Sequence, residues 1–346
     1  MMMHHRHTTI TRFSVLAVLL LAAVAFNGCS KEDDLPVPEK IDRTRIGYLI
    51  EDNFSLSTLY NILHYTKYDA ELRSGKSYTM LAPTNEAFNL VGIVASGNFQ
   101  SDDPWFPTVM RSSILTGAHL VGGMPLGENQ PLPSASGFSA YISRIKVGED
   151  IVTTVNGARL QNTDVKAGNG YMQVTSEVVQ PELTKNIWHF FLNDTTYTLF
   201  SLALQHAGIM PALKTGDYTI LAIPNEILRK AENIKPGINL SSADMVLASD
   251  PVELAGLLKY HILGTKCFMD RLYRQAKASG DATITTLNGA KITVSGNENI
   301  YNDISLKGTG NSIAARIYRP SYASPNYANI PAGNGVIHGI NQVLIP

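Results

Sequence analysis

Cysteine is nearly absent from this sequence, since only Cys29 and Cys267 occur among 346 residues. Cys29 lies in an N-terminal segment that we interpret below as an export signal. The folded part then keeps one cysteine, so no intrachain disulfide can form and stability must come from packed cores. Cys267 stands beside Phe268 and Met269, and this apolar setting predicts a buried, unreactive thiol rather than a nucleophile.

Net charge is nearly absent as well. The sequence carries 28 basic and 29 acidic residues, a formal net charge of -1. Basic residues are also not interleaved with aromatic residues in any compact run. Proteins that bind nucleic acid present a basic patch to the phosphates, so the composition excludes nucleic acid as a partner.

Catalytic signatures are missing too. The sequence has no Gly-x-Ser-x-Gly elbow, no phosphate-binding loop and no His-Glu-x-x-His motif. Beyond the N-terminal segment the histidines are scattered without the spacing that metal ligands require. We therefore predict a protein that is not an enzyme and that uses no cofactor and no metal.

The N-terminal segment has the pattern of a secretory signal. A basic head precedes an apolar run at 13–26, which is too short to span a bilayer comfortably. Cys29 follows Gly28, as in the lipobox of bacterial lipoproteins; an ordinary signal with an incidental cysteine is the alternative. We predict a lipoprotein signal peptide at 1–28 and a tether at 29–44, held on the membrane by acyl chains on Cys29.

A short charged run follows the lipobox directly. It resembles the acidic export signal that sends lipoproteins of Bacteroidetes to the outer face of the outer membrane; a solvated charge run in a tether is the alternative. The predicted export residues are Lys31, Glu32, Asp33 and Asp34.

The rest of the chain contains four landmarks that occur twice in the same order. A length of 346 residues and an apolar content of 44% suit two folded domains. A tandem duplication of one domain accounts for landmarks that occur twice in the same order. Thr84 or Asn85, and Asn225, are predicted to cap the helices that follow a short strand. The matched pairs are 58–60 with 198–200, 78–88 with 218–228, 154–160 with 286–292, and 169–181 with 334–346.

Several of these motifs together resemble the fasciclin (FAS1) domain. They are Pro-Thr-Asn-Glu-Ala-Phe at 83–88, Tyr260-His261, and the final strand at 334–346 with His338. Runs of helices followed by runs of strands within each repeat indicate an α+β fold. The resemblance implies two tandem FAS1-like domains, each a twisted β-sandwich or wedge with helices packed on one side. We place the first repeat at 45–182 and the second repeat at 185–346.

The histidine motifs have two interpretations. In the first repeat Ser112-Ser113 and Gln173 stand where the second repeat has Tyr260-His261 and His338. His261 follows an apolar, helix-like stretch, so a hydrogen-bonded core histidine is one interpretation. The family resemblance offers the other, because the Tyr-His region has been linked to receptor adhesion in animal relatives.

The second repeat also looks longer than the first. Aligning the Asn-Gly pairs at 156 and 288 gives the second repeat 33 extra residues, which we place in an insertion near 300–333. Tyrosine and arginine are common at binding hot spots, so this insertion is a candidate contact surface. The alternative is that its tyrosines fold back on their own domain. The candidate contact residues are Arg316, Tyr318, Arg319, Tyr322 and Tyr327.

Together these patterns predict a non-enzymatic adhesion or binding lipoprotein with two fasciclin domains, of the Bacteroidetes type. We expect it to be lipid-anchored in the outer membrane and exposed at the cell surface. Its partners would be a protein or a polysaccharide, and the membrane through its anchor. The alternative function is glycan capture as an accessory lipoprotein of an outer-membrane nutrient uptake complex.

Overall fold

A computed structural model describes residues 41–94, 103–231, 234–297, 300–319 and 327–346. Cys29, the export residues at 31–34 and Tyr322 lie outside the described residues, and the predictions on them stay predictions.

The first repeat combines helices, most of them early, with a sheet of seven strands, which confirms the predicted α+β class. Its helices are α1 (Ile46–Glu51), α2 (Ser57–Thr66), α3 (Asp69–Leu72), α4 (Asn85–Asn89) and α5 (Trp105–Ser113). Its strands are β1 (Tyr78–Pro83), β2 (Ile114–Thr116), β3 (Gly127–Pro133), β4 (Ser139–Val147), β5 (Asp150–Val155), β6 (Ala158–Ala167) and β7 (Gly170–Thr175).

Strand β1 lies inside this sheet, whose order is β2-β1-β7-β6-β5-β4-β3. All six of its residues are buried. A strand that is buried on both faces does not need to alternate apolar and polar residues, and the sequence of β1 does not. β7 is the last strand of the repeat, yet it pairs in parallel with β1 in the interior of the sheet.

The second repeat follows the same plan. Its helices are α6 (Ile187–Asn193), α7 (Thr198–His206), α8 (Asn225–Leu228), α9 (Ala243–Ala248), α10 (Pro251–Lys259) and α11 (Met269–Ala278). Its strands are β8 (Tyr218–Ala222), β9 (Ile262–Leu263), β10 (Thr283–Thr285), β11 (Lys291–Asn297), β12 (Ile300–Lys307), β13 (Ala315–Arg316), β14 (Ile330–Ala332) and β15 (Gly335–Gly339). They form two sheets of four, in the orders β10-β11-β12-β13 and β14-β15-β8-β9.

The strand orders show how the repeats correspond. In the first repeat β6 is continuous: it pairs with β5 at its start and with β7 at its end. In the second repeat these two ends are separate strands, β13 beside β12 and β14 beside β15. The strands β10, β11, β12 and β13 therefore match β3, β4, β5 and the start of β6.

This correspondence corrects the predicted alignment of the Asn-Gly pairs. The pair at 156–157 joins β5 to β6, whereas the pair at 288–289 lies between β10 and β11, the counterparts of β3 and β4. Both glycines have positive φ, so each pair does form a tight turn, but an Asn-Gly pair fits any such turn and does not identify the hairpin. The predicted excess of 33 residues is therefore too large. Strands β12, β13 and β14 occupy part of the predicted insertion, and residues 317–329 separate β13 from β14.

The predicted helix caps are only partly confirmed. The Thr84 hydroxyl accepts a hydrogen bond from the backbone N–H of Ala87, as a capping residue does. The residue that precedes α8 is Pro224, and no side chain caps that helix. Asn225 is the first residue of α8 and does not cap it.

Asn85 and Asn225 instead cap helices that are distant in sequence. The Oδ1 atom of Asn85 accepts from the backbone N–H of Thr58 at 2.9 Å, in the first turn of α2. The Oδ1 atom of Asn225 accepts from the N–H of Leu199 at 2.9 Å, in the first turn of α7. The Nδ2 groups donate to oxygens around the same turns. Each amide therefore satisfies free groups at a helix start and ties that helix to the end of a central strand.

The asparagines that precede β7 and β15 form a second pair of ties. Asn169 accepts from the backbone N–H of Ile46 at 2.9 Å, and Asn334 accepts from that of Ile187 at 2.8 Å. Each Nδ2 group donates to two backbone carbonyls: Leu72 and Ser74 for Asn169, and Leu213 and Gly216 for Asn334. The amide thus fastens the last strand of each repeat to that repeat's first helix.

We expect Asn334→Asp to lower the free energy of unfolding by about 3 kcal/mol, because a carboxylate cannot donate and would face two carbonyl oxygens. Urea unfolding at pH 7 measures the loss. The matched control is Asn341→Asp, since Asn341 is exposed and uses Oδ1 to accept from the N–H of Arg316. That control should cost less than about 0.5 kcal/mol. Equal losses in the two variants would contradict the assigned role of Asn334.

Candidate functional site

The Tyr260-His261 pair lies between α10 and β9, and both side chains are buried. The Tyr260 hydroxyl donates to the backbone oxygen of Lys291 at 2.7 Å. The Nε2 atom of His261 accepts from the N–H of Leu344 at 2.9 Å, and Nδ1 lies 3.0 Å from the carbonyl oxygen of Leu257. Because Nε2 accepts, the ring proton is on Nδ1, which donates to Leu257.

His338 is held in the same way with the opposite tautomer. Its Nδ1 atom accepts from the N–H of Asn329 at 3.0 Å, so the proton is on Nε2, which donates to the oxygen of Cys267 at 2.9 Å. Burial lowers the pKa of both His261 and His338 from the ordinary 6.5 to about 4. Both rings are therefore neutral at pH 7.

At the matching positions the first repeat has residues that do not titrate near neutral pH. Ser112 and Ser113 end α5 and are buried. Gln173 is fully buried and exchanges two hydrogen bonds with Asp164, one at 2.9 Å and one at 2.8 Å. The structure thus places the motif residues Tyr260, His261 and His338 as hydrogen-bonded core residues.

The tyrosines of the predicted contact surface turn inward. Tyr318 is only 7% exposed, and its hydroxyl donates to the carboxylate of Glu226 at 2.6 Å. Its ring meets Tyr327 edge-on, with centroids 5.2 Å apart, and half-buried Tyr327 packs against Tyr197. For Tyr318 the structure agrees with the alternative, a tyrosine that folds back on its own domain, because its hydroxyl finds a partner within its own repeat and its ring joins the core.

The two arginines of that surface differ. Arg319 is half-buried, and its guanidinium donates to the backbone oxygen of Leu90 in the first repeat. Arg316 is exposed, and its backbone pairs with Asn341. A ligand contact at Arg316 stays a prediction.

Cys267 matches the expected inert thiol. It is a free, fully buried cysteine, and burial raises the pKa of its thiol to about 12. A thiol that stays protonated at neutral pH is a poor nucleophile.

The junction between the two repeats was not predicted from the sequence. At its centre the Nζ atom of Lys266 lies 3.3 Å from the centroid of the Tyr141 ring. The hydroxyl of Tyr141 donates to the carboxylate of Glu182 at 2.8 Å, and Nζ of Lys266 donates to the oxygen of Gly333 at 3.3 Å. Burial lowers the pKa of Lys266 to about 8, against the opposing charge of Glu182.

Further contacts surround this centre. The side chain of Asn129 donates to the oxygen of Lys266 at 3.0 Å, and Arg271 forms a 2.9 Å ion pair with Glu128. Tyr141, Phe268 and Val336 form an apolar cluster that spans the two repeats. Because these contacts are buried or half-buried, residues 43–346 pack into one unit. No local sequence pattern marks these contacts, because partners that belong to different repeats lie more than 100 residues apart in the chain.

Two features are absent from the described residues. In that part of the chain no three acidic, histidine or cysteine residues are grouped so that they could hold a metal ion. None of the helices described is both long enough and apolar enough to cross a membrane.

The chain is similar to proteins of known family. The family model for the fasciclin domain matches residues 54–181 and again residues 195–346. The chain is 27% identical to human periostin over 284 residues, which are 81% of this chain and 30% of periostin. It is 26% identical to transforming growth factor-beta-induced protein ig-h3 of Sus scrofa over 283 residues, which are 80% of this chain and 36% of that protein. The chain thus spans about a third of the length of these relatives.

A solved structure is similar as well. It is a FAS1 domain pair from the insect cell adhesion molecule fasciclin I, and it aligns with a TM-score of 0.39 and 19% sequence identity. The alignment covers 84% of this chain and 97% of that one.

Proposed function

The chain belongs to the fasciclin domain family, and we propose that it is a non-enzymatic binding protein that attaches cells to protein ligands. In this proposal Cys29 carries acyl chains that hold the protein in the outer membrane, and the acidic run after it directs the protein to the cell surface, as in lipoproteins of the Bacteroidetes type.

The observation that carries the binding proposal is the burial of the two motif histidines, His261 and His338, and of Cys267. His261 and His338 each use both ring nitrogens in hydrogen bonds within the core, and the Cys267 thiol is held protonated. Groups of this kind stabilise a fold, whereas a nucleophile or general base must reach a substrate. Because these side chains are used inside the core, we infer that the protein acts through the surface of its two domains, where a binding partner would make contact.

Glycan capture for a nutrient uptake complex is the second candidate, and the structure favours it less. Aromatic side chains bind glycans by stacking their faces on sugar rings, and for this the tyrosines of the insertion would have to be exposed. Tyr318 is buried and Tyr327 is half-buried. A protein ligand is therefore our first choice.

Cys29→Ser tests the anchor. We expect this variant to leave the membrane fraction, because the acyl chains are the proposed hold on the bilayer. Replacing residues 31–34 with alanine should instead keep the protein in the membrane fraction but protect it from protease added to intact cells. Fractionation after a carbonate wash and protease shaving measure the two effects. A Cys29→Ser protein that stays with the washed membranes would overturn the lipoprotein proposal.

The binding function is tested with the same cells. Cells with the wild-type chain should attach to plates coated with extracellular matrix proteins, and cells with Cys29→Ser should not. Parallel incubation of the purified chain on a glycan array separates the two candidates. Attachment that is equal in both strains, together with glycan binding, would favour the second candidate.

A further inference from the structure

Strands β5 and β6 part from each other close to their connecting turn. Asn156 and Gly157 form the turn with φ of 47° and 80°, as in a two-residue hairpin. Only two residue pairs follow, Val155 with Ala158 and Thr154 with Arg159. From Leu160 onward β6 pairs with β7 instead. The side of β5 that faces away from β4 therefore lacks a strand partner along residues 150–153 among the described residues.

Hairpin geometry fixes which backbone groups face this opening. The N–H of Asn156 donates to the oxygen of Tyr141, and paired groups alternate along an antiparallel ladder. Asp150, Val152 and Thr154 therefore direct N–H and C=O toward β4. Ile151 and Thr153 direct theirs away from β4, into the opening. The pairing of Thr154 with Arg159 uses the C=O of Thr153. The N–H and C=O of Ile151 and the N–H of Thr153 are then the groups that an added strand would use, with the two N–H groups roughly 6.8 Å apart.

The opening is a cleft of about 630 Å³ between β5 and β6. This volume lies within the range of roughly 300–1,000 Å³ that is usual for ligand sites. Ile151 and Thr153 lie on the same face of the sheet as the core residue Val155, and Ile151 is 52% exposed where the core ends. The other cleft residues are mostly polar and include Arg144, Gln161 and Thr163.

The cleft favours negative charge, because Arg144 and Arg159 line it with one carboxylate, that of Asp150. Arg144 stands across from Thr153 in the ladder, and its guanidinium donates to the backbone oxygen of Met124. Its Nε–H is buried and has no hydrogen-bond partner within the described residues. A buried donor without an acceptor is costly, so a carboxylate in the cleft would be stabilised by both charge and hydrogen bonding.

We propose that an extended, acidic peptide segment of a partner protein binds as an added strand along Ile151–Thr153, with a carboxylate side chain beside Arg144. The inference rests on the proposed binding function and names the chemistry of the ligand. A strand that pairs with this edge satisfies the N–H and C=O of Ile151 and the N–H of Thr153, and its side chains on one face fill the cleft. A glycan has no matching row of amide donors and acceptors.

Random 12-residue peptides displayed on phage are the probe, selected on the mature chain. Enriched peptides should carry β-branched and acidic residues, and one of them, made synthetically, should be measured for affinity. Ile151→Pro should weaken its binding at least tenfold, because proline removes an N–H that faces the cleft and leaves the ladder to β4 intact. Ile151→Val keeps this N–H and should stay within twofold of wild type.

Hydrogen exchange on the wild-type chain gives a second readout that does not depend on a variant. The amides of Ile151 and Thr153 should exchange at least tenfold more slowly when peptide is bound, while the amide of Val152, already paired with β4, should not change. Failure to enrich any peptide would overturn the proposal, as would equal binding to Ile151→Pro or unchanged exchange at Ile151 and Thr153. If cells with Ile151→Pro still attach like wild type, this site fails while the adhesion function stands. If wild-type cells do not attach, the proposed function fails whatever the peptide does.

Discussion

At pH 4.5 the free energy of unfolding should be about 5 kcal/mol lower than at pH 7, through His261 and His338 together. Both have a pKa of about 4 in the folded chain, lowered by burial from 6.5. The unfolded chain therefore binds more protons between these two values. The stability that depends on neutral His261 and His338 is fully present above pH 6.5. It is lost as the pH is lowered toward 4, and it changes little below that.

His338→Gln isolates this effect from other titrating groups. Burial and the nearby Asp270 raise the pKa of Glu177, so its contribution runs in the opposite direction and is present at low pH. Glutamine can accept from the Asn329 N–H and donate to Cys267, as Gln173 does with its own partners. Urea unfolding from pH 7 to 4.5 should show about half the wild-type acid dependence in the variant. An unchanged dependence would rule out His338 as a source.

Gly170→Ala should destabilise the protein by more than about 4 kcal/mol, which is beyond the range of ordinary substitutions. Gly170 has φ of 143°, and a β-carbon there would overlap the backbone oxygen of Tyr78, its partner in β1. A side chain could move aside, but this oxygen belongs to the parallel pairing of β1 and β7. The overlap can be relieved only by separating the two strands.

Gly289→Ala is the matched control for Gly170→Ala. Gly289 also has positive φ, at 86°, but no atom lies within 4 Å of an added β-carbon. The variant should therefore be destabilised only by backbone strain, by about 1–2 kcal/mol. Because the buried junction joins the repeats, each variant should shift a single unfolding transition in urea. Equal costs for the two glycines would show that φ, and not the contact with Tyr78, determines the loss.

Local patterns predicted the parts of this fold that depend on neighbouring residues. The buried strand at Tyr78, the capping role of Thr84 and the turns with glycine at positive φ follow from residue type and spacing. The same patterns could not say which hairpin an Asn-Gly pair belongs to, and the length of the insertion was overestimated for that reason.

Contacts between distant residues were out of reach of such patterns. Asn225 looked like a cap for the helix it begins, because the sequence does not show that α7 begins beside it. The two interpretations of His261 could be separated only in the structure, where the backbone N–H of Leu344 donates to its ring. Lys266 and Tyr141 carry no motif at all, yet they form the centre of the junction.

The interior position of β7 and β15 has a consequence for biosynthesis. Each is the last strand of its repeat, and each supplies the parallel partner of an early strand. About 90 residues separate Tyr78 from Gly170. At a synthesis rate of roughly 5–20 residues per second, β1 waits on the order of 5–20 s for its partner to emerge from the ribosome. Throughout that interval the sheet is incomplete, and the edge of β1 that pairs with β7 stays open.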